Sequence, residues 1–155
     1  MKSVLISIKP EWCELIAEGK KTMEVRKSAP KLDTPFKVYI YCTKGDSQFS
    51  EGDRFCLYAP PYDTPVNANQ KVIGEFICDI VEPYWFDKDD RSVEEYEDVQ
   101  HSCVAAEELL AYASGKQLYF WHISQLKMYD RPKSLGAFLP YKRPPQSWCY
   151  VEEKE

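Results

Sequence analysis

The chain lacks most of the features that announce a function at sight. No run approaches the roughly 18 apolar residues that a membrane-spanning helix needs. Met1-Lys2-Ser3-Val4 leads straight into strand-like sequence rather than a signal peptide, so a cytoplasmic protein is expected. The six cysteines (Cys13, Cys42, Cys56, Cys78, Cys103 and Cys149) contain no C-x-x-C or C-x-x-H pair, which removes a zinc module. They read as reduced, mostly buried thiols rather than a disulfide scaffold. Histidine is scarce: His101 and His122 stand far apart with no third ligand. There is no glycine-rich phosphate loop and no Ser/His/Asp arrangement. The sequence therefore calls for no metal and no cofactor. Nor is there an excess of basic charge, the net charge being −5. A protein that grips nucleic acid by bulk electrostatics is normally basic overall.

What is present describes an ordinary folded protein. Its 155 residues are 44% apolar and 29% charged, which fits one domain, 1–155, with core enough to fold alone. The charge is uneven: residues 1–37 carry +3, residues 38–100 carry −9 and residues 101–155 carry +1. Any nucleic-acid contact is thus confined to a local cationic pocket and a small footprint. The acidic stretch 82–98 reads as a solvated surface excursion, or as an attachment for a basic protein partner.

Alternation makes Lys2–Lys9 a strand, with Val4, Ile6 and Ile8 on one side and Leu5, Ser7 and Lys9 on the other. Pro10 suits the first turn of a helix, Trp12, Leu15 and Ile16 recur at helical spacing, and Gly19 is a natural stop. Residues 22–27 alternate again, placing Thr22, Glu24 and Arg26 on one face and Met23 and Val25 on the other. Further strands are expected at 36–43, 54–59, 71–81, 118–129 and 147–152. Turns are expected at Gly45-Asp46 and Glu51-Gly52-Asp53, and a loop at 60–65. Ser92 and Glu95 have the spacing of a capping box. Ala105–Ala113 is a second helix, stopped by Ser114-Gly115. Short strands with two or three helices, and no regular βαβ alternation, give an α+β domain on a curved sheet or small β-barrel.

One cluster stands out. A helix of this length returns the chain near where it left the sheet, so Lys9, Lys21, Glu24 and Arg26 are expected to converge. Such a group binds an anion or the polar edge of a base, or tunes a lysine or carboxylate for proton transfer. By pattern alone the same charges also fit a solvated cross-strand ladder and a cationic helix end. His122, beside Phe120 on an aromatic strand, reads as a hydrogen-bonded structural residue. His101 reads as a group at a pocket edge. The 22 aromatics suit stacking on bases, although most belong to the core. Trp148, after Pro144-Pro145-Gln146-Ser147, is the one singled out for a cleft.

The segments Ser7-Ile8-Lys9-Pro10 and Gly19-Lys20-Lys21-Thr22-Met23-Glu24-Val25-Arg26-Lys27 resemble the ASCH family of the PUA-like superfamily. So do Tyr39–Thr43, Ile73–Phe76, Trp121–Ser124 and Pro145–Val151, the later blocks being similar to small ASCH proteins of bacteria and their prophages. The resemblance implies a PUA-like β-barrel flanked by helices, with a cleft near the Gly-Lys-Lys-Thr segment. It also implies binding of RNA or of a modified nucleoside or nucleotide. In related sequences the tail block lies close to the lysine segment, which adds Ser147 and Trp148 to Lys9, Lys21, Glu24 and Arg26 as ligand-binding candidates. In that reading the basic groups hold phosphate or a carbonyl, Glu24 accepts from an amine, and Trp148 stacks. Some small ASCH members are amidohydrolases that deacetylate N4-acetylcytidine with a lysine, a threonine and a glutamate. The lysine position is Lys21, the threonine position is Glu24, and the glutamate stretch reads Gln100-His101-Ser102-Cys103. As an enzyme the chain would rely on Lys21 and Glu24.

Overall fold

The computed structural model describes residues 1–44, 56–57, 66–140 and 143–153, with the main chain alone at 56–57 and 66–67. The strands are β1 (Lys2–Ile8), β2 (Met23–Arg26), β3 (Phe36–Cys42), β4 (Cys56–Leu57), β5 (Val66–Asn67), β6 (Lys71–Tyr84), β7 (Leu118–Ser134) and β8 (Trp148–Glu152). The helices are α1 (Pro10–Ala17), α2 (Glu97–Ser102) and α3 (Ala106–Ala113). Six strands form one mixed sheet in the order β2-β7-β6-β3-β1-β8, and β4 pairs with β5 apart from it. Only β1 and β3 run parallel, since α1 and β2 intervene between them; the other pairings in the sheet are antiparallel.

The alternation in β1 becomes two hydrophobic layers. Val4, Ile6 and Ile8 join Cys13 and Ile16 of α1 in one cluster, together with Val38, Ile40 and Trp121. Leu5 faces the other way, into a cluster with Tyr39, Tyr41, Tyr129 and Phe138. A third cluster lies where α2 and α3 cover β2 and β7: Met23, Val25, Val99, Leu109, Ala113, Leu118 and Phe120. With Met23 and Val25 committed to the helices, Glu24 and Arg26 must face the opposite side. Helix α1 begins at Pro10 and is followed by Gly19 at φ +79°, a conformation that costs glycine little.

The sheet is not closed into a barrel. Strands β2 and β8 are its edges, with no backbone ladder between them. The physical reason is the brevity of β2, four residues long, and a side chain that occupies the seam in place of a ladder, described below. Strands β6 and β7 run further than alternation predicts, because each extends the other in a long antiparallel pair reaching Lys71 opposite Ser134. Pro132 falls where the register shifts between Val72 and Gly74, so the missing N–H costs no ladder bond there. The expected capping box does not form: the Ser92 hydroxyl donates to Asp90 Oδ1 at 2.6 Å rather than capping a helix. The acidic excursion is shorter than expected, with β6 running to Tyr84 and α2 starting at Glu97. The turns at Gly45-Asp46 and Glu51-Gly52-Asp53, the loop at 60–65 and most of the strand expected at 54–59 lie outside the described residues. Among the described residues Cys13, Cys42 and Cys78 are buried, Cys103 and Cys149 are half-buried, and all five are free thiols. No helix there is long and apolar enough to cross a membrane.

Candidate functional site

Helix α1 carries the chain away from the end of β1, and the segment after it folds back on the helix. The N–H groups of Lys20 and Lys21 donate to the Leu15 carbonyl at 2.9 and 3.1 Å, and Thr22 N–H donates to the His101 carbonyl at 2.9 Å. This double anchorage, to α1 and to the end of α2, delivers Lys21 to the side of the sheet that Glu24 and Arg26 face. A cavity of about 420 Å³ opens there, and Lys9, Lys21, Glu24, Arg26, Ser7 and Ser147 all line it.

Lys21 is 1% exposed. Its Nζ donates to the Ser102 carbonyl at 2.6 Å and sits 5.0 Å from the centre of the Trp12 ring. Burial holds its pKa below the ordinary lysine range, and the charge of Glu24 only partly opposes that. Glu24 is 6% exposed. Its Oε1 accepts from Val25 N–H at 3.0 Å and lies 3.7 Å from Arg26 Nε, while Oε2 is out of water contact with no partner among the described residues. Trp121, its cross-strand neighbour, likewise has an unpartnered Nε1.

Arg26 is spent on the protein itself. It donates to the Ser7 carbonyl at 2.7 Å, to Ser147 Oγ at 3.1 Å and to the Ser147 carbonyl at 3.3 Å. Ser7 N–H donates to the same Ser147 carbonyl at 2.9 Å, and Ser7 Oγ donates to the Pro145 carbonyl at 2.7 Å. The guanidinium thus bridges edge strand β2 to β1 and to the segment entering β8. This is the side chain that stands in the seam of the open sheet.

Lys9 is exposed on the cavity rim and makes no ion pair among the described residues. Trp148 lies outside the lining. Its ring meets Trp121 and Tyr150 edge-on, with centroids 5.9 and 5.3 Å away, and its Nε1 donates to Ser28 Oγ at 3.0 Å. His101 is exposed near the end of α2 and is not in the lining, and His122 Nδ1 is 2.7 Å from Asp79 Oδ1.

The lining residues that escaped the sequence reading include Trp12 on α1, and Glu108 and Tyr112 on α3. The signal for the last two was available. They stand four residues apart, next to the buried stripe of Leu109 and Ala113, and therefore on the flank of α3 that borders its covered face. The region before α3 supplies the Ser102 carbonyl to Lys21, while the carboxylate that α3 brings to the cavity is Glu108. Among the described residues no group of histidines, cysteines and carboxylates is placed to hold a metal ion.

Comparison with known proteins bears on this geometry. The ASCH domain profile matches residues 6–133. The fold is similar to the crystal structure of ASCH from Zymomonas mobilis, with a TM-score of 0.67 at 17% identity, covering 97% of this chain and 88% of that one. A tyrosine-to-phenylalanine mutant of the Zymomonas mobilis protein gives the same TM-score and identity over 99% of this chain and 92% of that one. No curated protein shows a significant sequence match.

Proposed function

The chain belongs to the ASCH domain family, and from that premise we propose that its cleft binds RNA or a free nucleotide, one nucleotide unit at a time. The observation that carries this reading is the ionic group of buried Lys21 and Glu24 with half-buried Arg26, gathered against a cavity of about 420 Å³. That volume is in the range of small-ligand sites. The PUA-like fold is associated with RNA recognition, and the polar groups here suit a base better than a bare anion. Lys21 has donors to offer a base carbonyl, and Trp12 and Tyr112 offer aromatic surface at the wall. Lys9, exposed and unpaired, is the natural contact for phosphate. Arg26 and Ser147 hold the wall through their mutual hydrogen bond.

The test is a titration of fluorescent single-stranded oligoribonucleotides and of CMP, AMP and UMP against wild type, Lys9→Ala and Lys21→Met. The reading predicts association that Lys9→Ala weakens in a salt-sensitive manner and that Lys21→Met weakens at every salt concentration. No association with any of these probes would remove it.

A second reading, hydrolysis of the acetyl amide of N4-acetylcytidine, is favoured by one observation: a buried lysine with depressed pKa faces the same cavity as Glu24 and Glu108. It predicts acetate release that is lost in Lys21→Met. Absence of release at high protein concentration would dismiss it.

A further inference from the structure

We infer that Glu24 is the specificity-determining residue of the cleft and that it selects bases bearing an exocyclic amine, such as cytosine and adenine, over uracil. This inference rests on the reading of the cleft as a nucleotide site and adds to it the class of base. Glu24 is 6% exposed, lines the cavity, and has one carboxylate oxygen without any hydrogen-bond donor. Its other oxygen is taken up by Val25 N–H and approached by Arg26, so the acceptor left over is a single, directed one. An unpaired buried oxygen is costly, and a ligand that supplies the donor recovers that cost. The terminal torsion of a glutamate is soft, so presenting Oε2 to a ligand requires little strain.

The chemistry of the bases separates those that can supply the donor cleanly. The amine of cytosine projects between a ring nitrogen and a C–H group, that of adenine between two ring nitrogens; neither is flanked by a carbonyl oxygen, and a carboxylate accepts from it well. The imide N–H of uracil is flanked by two carbonyl oxygens, and bringing it to a carboxylate sets those oxygens against a negative charge. The cations do not offset this on both sides: Arg26 has three protein carbonyl and hydroxyl contacts, and Lys21, a single ammonium with one donor already on the Ser102 carbonyl, meets at most one of the two oxygens. A site built around a buried polar group rejects ligands that leave it unpaired far more strongly than an apolar pocket rejects a misfit.

The experiment compares CMP, AMP, UMP and N4,N4-dimethyl-CMP by calorimetric titration with wild type and with Glu24→Gln, near-isosteric and checked for folding by circular dichroism. Wild type is expected to bind CMP and AMP at least about tenfold more tightly than UMP or the dimethylated nucleotide. Glu24→Gln, whose amide both donates and accepts, is expected to bring UMP level with CMP. Equal wild-type affinities for CMP and UMP would overturn the inference while leaving the nucleotide site standing. So would a preference that survives in Glu24→Gln, since it would then arise elsewhere. If none of the four nucleotides binds to wild type, the site itself fails and the inference falls with it.

Discussion

Folding takes the Lys21 side chain almost wholly out of water. Burial depresses its pKa, so over the pH range between its folded value and the ordinary lysine value the unfolded chain holds the proton that the folded chain has released. Where the unfolded state binds more protons, stability rises with pH. Wild type should therefore gain stability relative to Lys21→Met as pH is raised through that alkaline window, and the gain should cease once unfolded lysine also deprotonates. Urea melts of the two proteins at stepped pH measure the difference directly. A difference independent of pH would show that the amine is not held in this way. Arg26 makes the opposite kind of prediction. Removing it takes the guanidinium donor from the Ser7 carbonyl and Ser147 Oγ, leaves the Ser147 carbonyl with Ser7 N–H alone, and strips Glu24 of its neighbouring charge. Arg26→Ala should cost about 2–4 kcal/mol by denaturant unfolding, and Arg26→Lys, which lacks the planar fork, should restore only part of it.

Among the elements, the β6–β7 pair tolerates least at its close approach. A Cβ at Gly74 would lie 2.6 Å from the Lys127 carbonyl oxygen and 3.1 Å from Met128 Sδ. The first of these is backbone of the paired strand and cannot step aside. Gly74→Ala should lower stability by about 1–3 kcal/mol, seen as a shifted urea midpoint with an unchanged slope. The elements also divide what the sequence reveals from what it hides. Strand β1, helix α1 and the facing of Glu24 against Val25 are legible because each follows from a period of two or 3.6 within one short segment. The wall formed by Glu108 and Tyr112 depends on how α3 lies over β2 and β7, a packing relation across some 80 residues of chain that local periodicity does not encode. The partners of Arg26 are hidden for the same reason: Ser147 is 121 residues away in sequence. The open sheet is a further case, since closure is decided by the relative position of β2 and β8, the two ends of the strand order. Trp148, adjacent in sequence to the lining Ser147, turns to Trp121 and Ser28, a direction that its place in the sequence does not reveal.

At the scale of the whole molecule, charge sets the terms on which a polyanion can be met. The net charge is −5, and the segment 82–98 contributes eight carboxylates against two cations. With Arg26 and Lys21 bound to the protein's own carbonyls, Lys9 is the cation of the cleft left for phosphate. One or two phosphate contacts correspond to a shallow salt dependence. Affinity for a single-stranded oligoribonucleotide should fall only about three- to sevenfold between 50 and 200 mM salt, both concentrations being those of the assay. A fall of several hundredfold would mean that a broad basic surface is engaged, which this charge distribution does not provide.

The guanidinium of Arg26, standing where a row of main-chain bonds would have sealed a cylinder, has one more consequence. The line along which the sheet is held most thinly passes through the hollow that receives the guest. Anything lodged there fastens the two free margins to each other, so that occupancy and local rigidity become a single quantity, readable as slower isotope exchange at Val25 and Arg26 without any change in the course of the chain.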